Sequence, residues 1–425
     1  MSPSPNALWL VAGHLESANP VEQLHDLREA LGHGKLGTAA LIDFPEFKTG
    51  TLSSLLTLSE QLAEHDQNVA SVLQKTVDTI RSLTAEPSGP TAAIPHAENR
   101  ASPLSQHLVL DDGRPYLAYL LPDEDQPVGT ESDDRWEWNR AKYRTEDRPL
   151  PDIVDALVKE VGSIENAQRN KTQQYQLIKG QLTNALRKKT GNLSMRSLND
   201  VVSASDFAAT NHSEYLETAL VAVPKNSVKE WDSTYERLTQ MVVPRSSTKL
   251  AEDDEYVLFS VTLFRRVKDE FAQKAREKKF IVRDFTYDEG EIEQQRKDVE
   301  NLLIEEQEMW ADMLRLSRIN FSELFQVLVH LKIVRAYVES VLRYGLPAAY
   351  FGAAIKPDPR QADKLVSTLS SFLVPSKGDG KKKGKKPSAS GGDDSAALGE
   401  YASVMEGEYY DFVLFELERV EQKGE

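Results

Sequence analysis

Residues 151–189 read PDIVDALVKEVGSIENAQRNKTQQYQLIKGQLTNALRKK, and the placing of their apolar side chains decides the fold. Val154, Leu157, Val161 and Ile164 step by three and four, and after a polar middle the step resumes at Tyr175, Ile178, Leu182 and Ala185. That rhythm predicts a long helix carrying a coiled-coil seam. A second seam lies much further along, with Ile292, Val299, Leu302, Met309, Met313 and Leu316 on the same frame and Gln295 and Glu306 interrupting it. Two such seams complement one another. At ~1.5 Å per residue they predict a two-helix neck reaching ~50 Å.

Between the seams, residues 215–223, 256–264 and 280–285 are rich in β-branched and aromatic residues and predict strands, with helical patterns at 228–238 and 265–276 between them. This is an α+β head, residues 190–286, carried on neck helices 151–189 and 287–318. Outside the neck, the apolar run at 7–11 predicts a buried strand, and Val21, Leu24, Leu27 and Leu31 predict a helix after it. Residues 51–83 continue helical periodicity through Leu55, Leu58, Leu62, Val69, Val77 and Ile80, enough for one or two helices. Beyond the second seam, 321–342 is apolar on nearly every side, as in a helix buried in a core, and Gly345 with Pro347 ends it. A last strand falls at 409–417. The expected fold class is therefore α+β and elongated, with a foot (1–150 and 319–425) holding both termini, the neck and the head. Two stretches, 86–134 and 375–400, are low in apolar residues and predict flexible surface insertions. Islands around Leu108 and 116–121 in the first leave room for a hairpin.

Composition narrows function. The chain has 425 residues, 40% hydrophobic and 28% charged, and no apolar run approaches the ~20 residues that span a bilayer. Its start lacks a basic leader and a small-residue cleavage site, so no signal peptide is expected there. With no cysteine, disulfides and thiolate chemistry are excluded. The absence of cysteine agrees with a reducing compartment and makes the cytosol the expected place, while a formal charge of −16 opposes nucleic acid and anionic lipid on average and favours a basic or oppositely patterned protein partner.

The catalytic motifs fail on context. Gly32-His33-Gly34-Lys35-Leu36-Gly37 matches a dinucleotide fingerprint by letter, yet a helix rather than a strand precedes it, so it predicts a glycine-rich helix exit. Gly384-Lys385 lacks the rest of a phosphate loop. The eight histidines, His14, His25, His33, His65, His96, His107, His212 and His330, form no metal-binding pair, and His330 in its apolar helix predicts a satisfied core group. Glu305, Glu306 and Glu308 predict a solvated helix face, and the lysines of 381–386 a flexible insertion. No catalytic residue, cofactor or metal is nominated.

Several collinear segments resemble the C subunit family of the vacuolar-type proton-pumping ATPase. The strongest is VESVLRYGLP at 338–347, preceded by His330, Lys332 and Arg335-Ala336-Tyr337. YLETALVAVPK (215–225), MVVPRSS (241–247), VTLFR (261–265) and AREKKFIVRDF (275–285) agree in order, as do FPEFKTGTL (44–52), Trp136-Glu137-Trp138, Ala141-Lys142-Tyr143 and Lys189-Thr190-Gly191. The insertions at 86–134 and 375–400 depart from the family core. The resemblance implies foot, neck and head, and a non-catalytic structural and regulatory role in the soluble sector. It implies that the head grips a peripheral stalk of the E and G subunits while the foot contacts another stalk and the cytosolic N-terminal domain of the membrane-embedded a subunit. It further implies coupling of ATP hydrolysis to proton transport, release on reversible disassembly, and a place on the cytosolic face of vacuolar or other acidified membranes, reached only through the complex. Lys225, Arg245 and Arg283 are the partner-binding residues expected on the head. The alternative is a cytosolic scaffold or actin-binding adaptor, and 338–347 serves core packing equally well.

Overall fold

In chain order the elements are β1 (Leu8–His14), α1 (Pro20–Ala30), β2 (Gly37–Ile42), α2 (Leu52–Thr84), β3 (Arg135–Trp136), α3 (Leu150–Thr190), α4 (Ala204–Phe207), β4 (Leu216–Pro224), α5 (Val228–Thr234), β5 (Thr248–Glu252), β6 (Tyr256–Phe264), α6 (Lys268–Glu277), β7 (Ile281–Arg283), α7 (Glu289–Tyr344), β8 (Tyr350–Pro357), α8 (Ala362–Leu373) and β9 (Val413–Leu417). The computed structural model describes residues 3–15, 19–85, 100–121, 135–207, 210, 213–346, 349–373, 410 and 412–420. His96, His212, Pro347, all of 375–400 with its lysine run, and the start of the last predicted strand lie outside them. The chain divides into two units, one from Met1–Thr84, Ser102–Asn170 and Leu314–Glu425, the other from Ala85–Ala101 and Lys171–Met313.

The first unit is built on a five-stranded sheet of order β3-β2-β8-β1-β9. Alternate residues of β1 face opposite ways, and both faces are covered. Leu8 and Leu10 join the core made with α2, α3 and α7, while Trp9 and Val11 join that made with α1 and α8. This explains why β1 reads as an unbroken apolar run. Both ends of the chain meet in this sheet, since β1 pairs antiparallel with β9, Leu8 opposite Leu417. Gly37 opens β2 at φ 153, and a Cβ there would stand 2.5 Å from the Lys356 carbonyl oxygen. The glycine-rich stretch before it is a helix exit as expected, with Gly32, His33 and Gly34 at positive φ.

Of the one or two helices expected over residues 51–83 there is one, whose Leu55, Leu62, Val69, Val77 and Ile80 line the core. Within 86–134, residues 86–99 and 122–134 lie outside the described residues, but Leu108, Leu110, Tyr116, Leu120 and Leu121 are buried, and Tyr116 sets its ring edge against Phe321 and Phe325. The apolar islands there are core rather than surface.

The second unit contains a four-stranded antiparallel sheet of order β5-β6-β4-β7. The sequence of elements β4-α5-β5-β6-α6-β7 in that order is the split βαβ arrangement. One face packs on α5 and α6 through Val221, Val261, Trp231 and Phe271, and the other on Leu193, Leu198, Val202 and Phe207. β5 departs from the sequence reading, because TKLAE is a half-exposed edge strand with a bulge and the charged Lys249 and Glu252, features that read as loop.

The unit is internally symmetric. Leu216 corresponds to Tyr256 and Pro224 to Phe264, a shift of 40 residues, each strand leads through a 3-10 turn into a helix, and Trp231 and Phe271 fill equivalent places. The hydrogen bonds repeat too. Lys225 N donates to Glu255 O (3.0 Å) and Arg265 N to Tyr215 O (2.9 Å). Tyr256 N donates to Asp253 Oδ1 (2.6 Å), as Leu216 N donates to Ser213 Oγ (3.0 Å).

Each unit contains part of α3 and part of α7, and the predicted seams meet within each. In the first unit Gln168 Nε2 donates to Ser317 Oγ (2.9 Å) and Asn320 Nδ2 donates to Gln168 Oε1 (2.7 Å). In the second, Leu182 and Leu186 pack on Leu302 and Leu303. The second neck helix and the buried helix after it are one element, since the 56 residues of α7 run unbroken. No glycine or proline stands between Arg318 and Phe321 to stop it.

Candidate functional site

The three cations expected at a partner contact occupy three different surroundings. Lys225 begins the turn after β4, is exposed, and holds Glu252 Oε1 at 3.1 Å; Glu252 also receives Lys249. Those two lysines keep the Glu252 carboxyl below its ordinary range. Arg245 is exposed at φ 56, a left-handed backbone unusual for a side chain, held there because its N–H donates to Glu236 Oε1 at 2.9 Å. Glu236 also accepts from the Tyr235 hydroxyl, and these bonds lower its pKa. Arg283 points inward. Its Nη1 donates to Leu193 O (3.0 Å) and its Nη2 to Arg196 O (2.7 Å), fastening the segment that follows α3 to β7. Of the three, Lys225 is ion-paired and Arg283 is spent on backbone carbonyls, while Arg245 is exposed and makes no ion pair with a described residue.

Other ionic groups are buried in pairs of which the sequence shows no sign. Glu306 corrects the expectation of a solvated face: its side chain is 0% exposed. Arg100 grips it with both arms, Nη1 to Oε1 at 2.8 Å and Nη2 to Oε2 at 2.7 Å, and the Tyr175 hydroxyl donates to Oε1 at 3.1 Å. Arg100 also lies 4.8 Å above the Trp310 ring. Hydrogen bonding to Glu306 raises the arginine's pKa, and burial raises that of Tyr175. In the first unit, Asp66 Oδ2 accepts from Lys332 Nζ (2.8 Å) and Arg335 Nη1 (2.7 Å). Arg343 near the end of α7 donates to Tyr410 O and Phe412 O, tying down the approach to β9.

His330 is a satisfied core residue, as its apolar helix predicted. Its Nδ1–H donates to Gln326 O at 2.7 Å, its Nε2 accepts from Asn139 N at 3.3 Å, and the rings of Tyr119, Trp136, Trp138 and Tyr143 surround it. Burial lowers its pKa to about 4, so the imidazole is neutral. Of the stretch from Val338 to Leu346, Val338, Ser340 and Val341 are buried, whereas Leu346 is exposed.

These groups do not converge on catalysis. Ser102 Oγ lies 2.7 Å from His107 Nε2, but His107 Nδ1 is buried without a hydrogen-bond partner, so no described acid orients the ring. His25, Asp26 and Glu29 share one turn of α1 with ligand atoms within 4.8 Å, and all three are exposed. Among the described residues no helix is long and apolar enough to cross a membrane. What the geometry offers on the second unit is exposed cations, Lys225 and Arg245 among them.

The family described as the C subunit of the V-ATPase matches residues 8–413. The V-type proton ATPase C subunit of Caenorhabditis briggsae is 35% identical over 90% of this chain and 90% of its own. The C 1-A subunit of Danio rerio is 36% identical over 79% of each, and the C 2 subunit of Mus musculus is 31% identical over 84% and 87%. Among solved structures, the cytoplasmic N-terminal domain of a V-ATPase I subunit, a homolog of the a subunit, aligns over 86% of this chain and 98% of that one, at 11% identity and a TM-score of 0.22, too low to argue from.

Proposed function

Since the chain belongs to the V-ATPase C subunit family, an accessory and not a catalytic part of the proton-transporting ATPase, we propose that it braces the soluble sector. It joins peripheral stalks of the E and G subunits to the cytosolic N-terminal domain of the a subunit, resists rotor torque, and so couples ATP hydrolysis to proton transport. It reaches the cytosolic face of acidified membranes only through the complex, and it leaves when the sectors separate reversibly. The observation supporting this reading is the pair of separately cored units that share both α3 and α7. Two separately cored units suit several modest contacts that must form and break together. On the second unit, Arg245 and Lys225 are the cations offered to the stalk, whereas Arg283 steadies the segment behind them.

Titration calorimetry of the full chain against a recombinant E–G heterodimer tests the reading, with capture of the N-terminal domain of the a subunit run alongside. Saturable one-to-one binding that weakens in Arg245→Glu is expected. Absence of heat and of co-elution would sink it, and co-sedimentation with actin instead would favour the adaptor.

A further inference from the structure

The internal symmetry of the second unit gives its sheet two equivalent ends, and the chain treats them differently. At the end marked by Lys225 and Glu255, the segment after α3 closes the sheet. Asn192 Nδ2 donates to Glu255 Oε2 at 2.9 Å, Leu193 N donates to Asp253 Oδ2, and the Leu193 side chain is fully buried. The local cation is neutralised there, Lys225 against Glu252.

At the end marked by Arg265 and Tyr215 nothing from the described residues plays that part. Tyr215 is 70% exposed and Met241 42%. Arg265 and Arg266 are exposed and make no ion pair with a described residue, and Glu214 beside Tyr215 bridges to neither. The side chains are nevertheless held together. Phe264 N donates to Met241 O at 3.3 Å, Arg265 N donates to Tyr215 O, and the Arg266 guanidinium donates to the Met241 sulfur at 2.8 and 3.2 Å. A thioether is a weak acceptor and cancels no charge. Met241 stands at φ 74, so its backbone is fixed in a conformation costly for a side chain. Tyrosine, methionine and arginine are the residue types enriched where proteins meet.

We infer that this end of the sheet, formed by Tyr215, Met241, Arg265 and Arg266, is a docking surface for an acidic segment of a protein partner that also carries apolar side chains. The segment takes the place that the chain's own 192–193 takes at the symmetric end. Charge selects the occupant: two unneutralised guanidinium groups on a chain of net charge −16 attract acidic residues, and the exposed Tyr215 and Met241 give them an apolar footing.

The inference rests on the stalk-gripping reading and names the surface used. The test is calorimetry of the full chain against the E–G heterodimer, comparing the native sequence with Arg265→Glu plus Arg266→Glu, and with Lys364→Glu on α8 as a charge control in the other unit. Affinity lowered tenfold or more by the double reversal, with Lys364→Glu unaffected and with binding that weakens as salt rises, is the expected result. Native-strength binding by the double variant overturns this surface while leaving the stalk reading intact, and absence of binding by the native chain overturns both. If the reversed chain fails to fold, Tyr215→Ala with Met241→Ala decides: a threefold or greater loss supports the surface, and unchanged binding removes it.

Discussion

Arg100 and Glu306 form a two-armed ion pair at 2.8 and 2.7 Å, with the carboxylate side chain fully withdrawn from solvent and the arginine side chain 13% exposed. Removing either partner leaves the other buried and uncompensated, but not equally. Arg100→Ala strands a carboxylate supported only by Tyr175, so it is expected to cost about 3–5 kcal/mol, more than Glu306→Ala, which leaves a partly exposed guanidinium over Trp310. Denaturant unfolding with hydrogen exchange over 299–313 measures both, and a larger loss in Glu306→Ala would contradict this ordering. Replacing the pair together by Met and Leu should recover much of the loss.

Asp66 plays a comparable part in the first unit. It is the carboxylate facing both Lys332 and Arg335, and Lys332 is only 10% exposed in its side chain. Asp66→Ala is expected to lower stability by about 3 kcal/mol or more, and Asp66→Leu with Lys332→Met by much less. Thermal melts of the two variants separate the ionic from the packing contribution. Equal melting temperatures would show that the charges are not coupled.

His330 predicts an acid dependence. Its pKa falls from 6.5 to about 4 on folding, so between those values the unfolded chain binds more protons and protonation favours unfolding. The stability involved is complete above pH 6.5 and is lost as pH falls through about 4, a drop of about 3 kcal/mol. His330→Gln cannot titrate. The gap between native and variant chains should therefore narrow by about that amount between pH 7 and pH 4, and a gap constant with pH would refute the assignment.

Arg283 separates fold from binding. Arg283→Met should loosen residues 191–198, raising their hydrogen-exchange rates by a factor of roughly ten or more as charged hydrogen bonds worth about 1.5–3 kcal/mol each are lost. Stalk affinity should change less than in Arg245→Glu. The reverse pattern would make Arg283 a contact residue.

The parts of the fold legible in the sequence were those governed by local periodicity. Val154, Leu157, Val161 and Ile164 are buried as their spacing required, and β6 begins and ends where its β-branched run does. The continuity of α7 was hidden because its burial changes from one stripe to all sides near Phe321, which reads as two helices. Glu306 was visible as an interruption of a seam, but its partner lies 206 residues away, and no spacing rule reaches that far. The candidate surface was half legible: cations could be counted, yet whether each was already neutralised depended on Glu252 and on the carbonyls of Leu193 and Arg196, which only the folded chain brings near.

The pairing of Leu8 with Leu417 sets how the chain bears tension. A force drawn between Leu8 and Leu417 enters β1 and β9 at neighbouring residues, so it peels the strands apart one hydrogen bond at a time instead of shearing them all together. A pull on that pair would thus unravel the edge at low load, and a short covalent link across it would let the chain be opened at another loop as a circular permutant.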